Sequence, residues 1–272
     1  MRIATTDALS LANFVTTMKM LRWVMVCGLL SSVLGFAPSP SLAAPIRREV
    51  PLNLFRTSPF PLPVMSVRMT SGAATQVVQV RLLSLGYWLK AADGTYDFTT
   101  RQAVMAFQKF AELPVTGSVD EETADAILHA KRPLSRSEEK GLDKDVVEVD
   151  LDRQLAFVVR AGMTESVFNV STGTGKPYVE RSPKNPNIVI RDVGDTPKGR
   201  FRVWRLRTDG WWSGDLGSIY RPIYFLGGIA FHGSAVIPAY PASHGCVRVS
   251  VDAMDMLWET GLLEKWDDVW VY

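Results

Sequence analysis

Two folded domains of different texture are predicted: a small all-α bundle of three helices, followed by a mainly β domain carrying one or more short helices. Three observations support this division. Apolar residues recur at helical spacing between Ala74 and Ala130, short β-branched and aromatic runs dominate from Val146 to Tyr272, and a charged stretch holding Pro133 and Gly141 separates them. With 272 residues and 47% hydrophobic content, the chain is long enough to build two cores.

At the amino-terminal end, Lys19 and Arg22 precede the apolar run Trp23 to Phe36, and Ser41-Leu42-Ala43-Ala44 follows. That layout predicts a secretory signal peptide over residues 1–43, cleaved after Ala43, because the apolar run is short for a membrane span. No stable span is expected after cleavage. The lead before Met18 is long for a charged n-region, which makes Met18 or Met20 an alternative start. Cleavage removes Arg2, Lys19 and Arg22 and one acid, Asp7, from totals of 30 basic and 28 acidic residues, so the mature chain has zero net charge. A balanced chain without a basic block implies neither nucleic acid nor anionic lipid as partner. Cys27 leaves with the signal, so Cys246 becomes the one cysteine of the mature chain and cannot be explained by an internal disulfide.

Residues 44–72 hold Pro51, Pro59, Pro61 and Pro63 with little apolar periodicity, the composition of an extended tether. Val77, Val78, Leu82 and Leu85 then recur on one helical face, and Gly86 stands where a helix needs a left-handed stop. Asp93-Gly94 marks a turn, Thr100 is a candidate N-cap for a helix carrying Ala103, Val104, Phe107 and Phe110, and Asp120 can cap a third helix to about Ala130. Within 73–131, the runs Val80-Arg81-Leu82-Leu83-Ser84-Leu85-Gly86-Tyr87, Asp93-Gly94-Thr95-Tyr96, Thr100-Arg101-Gln102-Ala103-Val104 and Phe107-Gln108 resemble the three-helix peptidoglycan-binding domain family. Asp97 and Glu112 stand where that family commonly has glycine. Residues 132–145 read as a charged linker.

Past that boundary, Val146 to Leu151 and Leu155 to Val159 read as two strands around a turn at Asp152-Arg153, with further strands at Phe168 to Ser171, Phe201 to Trp204 and Val269 to Tyr272. Val251 to Leu263 has a helical pattern.

Two short segments hold what thiol acyl transfer needs: Phe231-His232-Gly233 and Ser243-His244-Gly245-Cys246-Val247-Arg248. A free thiol is mostly protonated at neutral pH, so attack on an amide calls for an imidazole to take its proton. His129 falls at the end of a helix in the first domain, and His244 is two positions from the sulfur along an extended strand. His232, on an adjacent strand, can face it. The Gly233 carbonyl can then fix the tautomer of His232, while His244 and Gly245 shape a turn whose N–H groups, with that of Cys246, can hold an oxyanion. The bland alternatives are a buried hydrophobic cysteine, a satisfied core histidine and, for Ser243, a mere turn residue.

From Val146 to Tyr272 this signature, with Ser171-Thr172-Gly173, Thr196-Pro197-Lys198-Gly199 and Asp252, resembles the L,D-transpeptidase family. The resemblance implies an L,D-transpeptidase-like mainly β domain over 146–272, Cys246 as nucleophile, His232 as base with Gly233 as its backbone partner, and supporting roles for Ser243, His244 and Gly245. It further implies peptidoglycan stem peptides and glycan as partners, no metal or organic cofactor, an exported location in the periplasm or wall of a bacterium, and acylation of Cys246 by carbapenems. Arg248 could grip a substrate carboxylate or pair with Asp252 or another acid of the fold. Trp211 and Trp212 could line the substrate groove or serve as core, and Lys176 to Asp195 could be a lid or a solvated loop. The rival readings are an L,D-carboxypeptidase, a cysteine endopeptidase and an inactive wall-binding scaffold.

Overall fold

Residues 63–272 are described by a computed structural model of the chain; the expected signal peptide, and the tether as far as residue 62, lie outside the described residues. Helix α1 (Ala73–Ser84) ends as its sequence anticipates, with Leu85 as C-cap and Gly86 at φ 89° in the left-handed region. Helix α2 (Phe98–Phe110) starts earlier than expected. Its cap is Asp97, whose carboxylate accepts the Thr100 N–H at 2.7 Å, while Thr100 itself is buried and accepts a hydrogen bond from Gln79. Asp97 therefore replaces a family glycine without needing its conformational freedom, since its φ of −90° is ordinary.

Glu112, the other departure, does carry strain: it follows the C-cap Ala111 at φ 56°. Glu112→Gly is expected to raise stability by about 1 kcal/mol, read as a rise of a few degrees in the thermal midpoint. Helix α3 (Glu121–His129) is capped by Asp120, which accepts the Thr123 N–H at 2.9 Å.

The stretches expected as tether and linker are packed where they are described. Arg68 exchanges two backbone hydrogen bonds with Val119 and Val67 is buried, which ties the segment before α1 to the loop before α3. Beyond α3, a short helix α4 (Arg136–Glu139) begins at Ser135, which is buried along with Ser137. Glu148, fully buried, explains why: its carboxylate accepts the N–H groups of Arg136 and Ser137, so the charges of this stretch dock rather than float.

Strands β1 (Val146–Asp150), β2 (Leu155–Arg160) and β3 (Met163–Asn169) form a meander, followed by an isolated hairpin of β4 (Pro177–Arg181) and β5 (Val189–Val193). Next come β6 (Gly199–Arg202), β7 (Arg205–Leu206), β8 (Trp211–Gly214), β9 (Gly217–Leu226), β10 (Ile229–Ser234), β11 (Val247–Ser250), helix α5 (Val251–Thr260) and β12 (Asp268–Val271). One sheet has the order β3-β2-β1-β12-β6, and the second runs β11-β10-β9-β7 with β8 also on β9.

The apolar run of β2 and the valines of β1 follow from burial on both faces. Val146, Leu155, Phe157 and Val159 pack with Val78, Leu82, Val104, Phe107 and Ile127 of the helices. Their neighbours Val147, Val149, Ala156 and Val158 pack with Ile223, Phe231, Val247 and Met254 of the second sheet and α5. The helical bundle is thus one layer of a helix, sheet, sheet and helix stack. At the edge strand β3, Val167 exchanges hydrogen bonds with Gly86 and Trp88 beyond α1.

A lysine lies in the seam between helices and sheet. Lys109 of α2 is buried and donates from Nζ to the carbonyls of Gln154 at 3.0 Å and Val170 at 3.2 Å. Burial pulls its pKa down to about 7. Between that value and the ordinary lysine range the unfolded chain binds more protons than the folded one, so stability rises with pH. From pH 7 to 9 wild type is expected to gain about 2 kcal/mol relative to Lys109→Met, measured by urea unfolding of both at each pH.

Candidate active site

Strands β10 and β11 are parallel neighbours in the register Phe231 with Val247 and His232 with Arg248. Because side chains alternate across a strand, Phe231, Val247 and Val249 enter the core, while His232, Cys246 and Arg248 share the opposite face. That face is the floor of a cavity of about 810 Å³ whose lining includes all three.

His232 is 4% exposed, and its Nδ1 lies 2.9 Å from the Gly233 carbonyl, which fixes the proton on Nδ1 and leaves Nε2 as the basic nitrogen. The contact belongs to the backbone, so the side chain at Gly233 is free to be absent; a Cβ there would come within 2.9 Å of the Tyr220 ring. Burial, reinforced by the positive charge of Arg248 and opposed by the Gly233 hydrogen bond, pushes the His232 pKa down to about 4. Burial also raises the Cys246 thiol, against the Ala230 backbone hydrogen bond and the Arg248 charge. The resting pair is therefore neutral thiol and neutral imidazole. Cys246 is half-buried, and its sulfur lies 3.7 Å from the Gly228 carbonyl.

The loop before Cys246 is held from beneath. Thr172 accepts the N–H groups of Ala242 and Ser243, and Ser171 exchanges backbone hydrogen bonds with Arg248. Ser243 is buried, its hydroxyl donating to the Cys246 carbonyl at 2.6 Å and accepting the Gly245 N–H at 3.1 Å. The Gly245 N–H is thereby spoken for, whereas among the described residues no protein acceptor takes that of His244 or Cys246. Gly245 has φ 129°, and a Cβ there would sit 2.6 Å from the Asp195 carbonyl, so no other residue fits. Thr196, quoted in the sequence motif but given no role there, is buried and ties Gly245 to Gly173: its hydroxyl donates to the Gly245 carbonyl at 2.7 Å and accepts the Gly173 N–H at 2.9 Å.

His244, also in the cavity lining, reaches the β4–β5 hairpin, with Nε2 2.9 Å from Glu180 Oε1 and its ring 4.5 Å from that of Tyr178. The 176–195 stretch is thus a hairpin against the site, and Tyr178 and Asp192 line the cavity. Trp212 lines it too, whereas Trp211 is exposed beside Tyr220, outside the lining. Arg248 is half-buried in the lining, and Asp252, one of its candidate partners, is held instead by Lys90 at 2.6 Å. His129 is exposed at the end of α3, its Nδ1 3.0 Å from the Asp125 carbonyl. Sequence reasoning missed Tyr178, Glu180 and Thr196; only Thr196 left a signal, its place before Pro197 in a recognised motif. Among the described residues no cluster of side chains could hold a metal ion, and no helix is long and apolar enough to cross a membrane.

Comparison with known proteins is consistent over most of the described chain. The peptidoglycan binding domain model matches residues 71–127, and the L,D-transpeptidase catalytic domain model matches residues 144–271. An L,D-transpeptidase from Xylanimonas cellulosilytica DSM 15894 of known structure is 41% identical, the match covering 79% of this chain and 100% of that one with a TM-score of 0.67. An L,D-transpeptidase (Yku) from Stackebrandtia nassauensis is 21% identical over 78% of this chain and 97% of that one, at a TM-score of 0.41. No curated protein matches the chain. The 41% identity across the whole of a solved relative, together with the two domain matches in tandem, shows that the chain belongs to the L,D-transpeptidase family and carries a peptidoglycan-binding domain ahead of its catalytic domain.

Proposed function

We propose that this member of the family is an exported peptidoglycan L,D-transpeptidase that works through a Cys246 thioester. The observation that carries the proposal is the β10–β11 register, which supports His232 and Cys246 acting on one substrate from the same cavity floor. As the carbonyl of the third residue of a stem tetrapeptide approaches, His232 Nε2 takes the Cys246 proton and the sulfur attacks the carbonyl carbon. The N–H groups of Cys246 and His244 face the developing oxyanion, with Ser243 and Gly245 holding the turn in shape. Collapse breaks the bond to the terminal D-alanine, whose amine leaves with the proton from His232. The acyl group stays on sulfur, and an acceptor amine then attacks the thioester, loses a proton to His232 and takes the acyl group, restoring the thiol.

Arg248, which has no carboxylate partner among the described residues, suits a carboxylate of the stem, and Trp212 offers an apolar wall. The helical bundle keeps the enzyme on its polymer and raises the local concentration of stems. Intact-protein mass spectrometry with purified stem tetrapeptide and with a carbapenem tests the reading. A covalent adduct on the wild type with each reagent, absent from Cys246→Ala, is the expected result; no adduct with either under reducing conditions overturns it.

A further inference from the structure

The cavity over Cys246 is walled on one side by the β4–β5 hairpin and on the other by the turn between β8 and β9, and the two walls touch. Ser182, at the end of β4 and 1% exposed, donates from its hydroxyl to Asp215 Oδ1 at 2.8 Å in the β8–β9 turn. Two residues on, Lys184 Nζ stands 4.4 Å from the centre of the Trp212 ring on β8. Along β4 the same hairpin is fastened to the catalytic loop by Glu180 and Tyr178 on His244. Catalytic loop, first hairpin, second hairpin and β10 therefore close a ring around the nucleophile. The Ser182 hydroxyl is oriented for this role, because the N–H groups of Lys184 and Asn185 at 3.2 and 3.3 Å occupy its acceptor side and leave its proton for Asp215.

We infer that this ring selects the donor: a linear stem peptide threads beneath it by its free end, whereas a stem whose third-residue side-chain amine already carries a second peptide does not. The inference rests on the proposed transpeptidation, in which the scissile carbonyl belongs to that same third residue. A branch one side chain away from the carbonyl would have to pass between the hairpins. Asp215 and Lys184 are then specificity residues, without a part in the chemistry at the sulfur, that keep the enzyme on stems not yet cross-linked. One charge-assisted hydrogen bond and one exposed cation–π contact favour the closed ring about tenfold over an open one, so a branched donor waits for the open tenth of the molecules.

Release of D-alanine from a monomeric tetrapeptide stem and from a cross-linked dimer, acylated on the third-residue amine of its tetrapeptide, reads the selection as a ratio of kcat/KM. Wild type should favour the monomer about tenfold, the double variant Asp215→Ala, Lys184→Ala should bring the ratio close to one, and Asp215→Asn, which can still accept the Ser182 hydrogen, should keep most of it. Equal use of both donors by wild type, or an undiminished ratio in the double variant, overturns the ring. Alkylation of Cys246 by iodoacetamide and by N-pyrenylmaleimide repeats the comparison without substrate, with the bulky reagent gaining selectively in the double variant. If neither donor releases D-alanine while that alkylation contrast persists, the reaction assigned under Proposed function fails and the ring stands. If the contrast is missing as well, both fail.

Discussion

Cys246→Ala is expected to lower D-alanine release from a stem tetrapeptide by at least about 10⁴-fold while leaving the protein folded and bound to sacculi. The size follows from what remains when a covalent catalyst loses its nucleophile. Oxyanion donors and substrate binding alone give a residual 10³–10⁴ over water in hydrolases of comparable design, and the loss of the nucleophile there costs about 10⁶ in kcat. Little else depends on the sulfur: Cys246 is half-buried, and its polar contacts are weak ones, to the Gly228 carbonyl at 3.7 Å and to the Ala230 backbone. The loop around it is fixed by Ser243, Thr196 and Thr172 through bonds that the substitution leaves in place. The proposed wall-binding domain, matched over residues 71–127, is remote in sequence from the substitution. Residual release above about one hundredth of wild type would mean that another group attacks the stem, since no loss of positioning alone spares that much of a covalent mechanism.

What could be read without coordinates, and what could not, divides along physical lines. The Asp120 cap, the Gly86 stop and the turn between β1 and β2 depend on local chemistry, and all stand where the residues place them. The α2 cap was ambiguous because Asp97 and Thr100 both suit the role and only packing chooses; Thr100 is drawn inward by Gln79. Strands β4 and β5 gave no signal because most of their residues are exposed, so the period-two alternation that marks a half-buried strand is missing. Lys109 illustrates the opposite problem. A basic residue in the last turn of a helix suggests a solvated charge on the helix dipole, yet the bundle packs on the sheet there and the ammonium group ends on two carbonyls. Long-range docking decided that, and no local pattern encodes it.

Within the site the same rule separates Cys246 and His232 from their supports. The proposed nucleophile and base stand in short recognisable runs, and their meeting on one face needs only that two strands be adjacent. Glu180 reaches His244 across 64 positions of sequence from a segment without apolar periodicity, so its contribution exists only in three dimensions. Asp252 shows how nearness in sequence misleads: four residues from Arg248, it turns instead to Lys90 of the helical domain.

The pH dependence of the reaction follows from the neutral resting pair. His232→Gln is expected to lower kcat by about 10³-fold, the usual worth of a positioned general base, and to remove the acid limb of the kcat/KM profile. In wild type that limb lies near pH 4, because the buried imidazole stays neutral down to about that value. Above it the rate stays level through neutrality, since the raised thiol remains protonated and gives up its hydrogen only as the substrate arrives. Stability carries the same signature. Between pH 6.5 and 4 the unfolded chain gains a proton on His232 that the folded chain refuses, so wild type loses about 3 kcal/mol relative to His232→Gln as the pH falls through that window. The sulfur should accordingly react slowly with iodoacetamide at pH 6 and accelerate only above the ordinary thiol range. A bell-shaped profile centred on neutrality with rapid alkylation at pH 6 would mean that a thiolate and imidazolium form before substrate binds, and would overturn the neutral-pair mechanism.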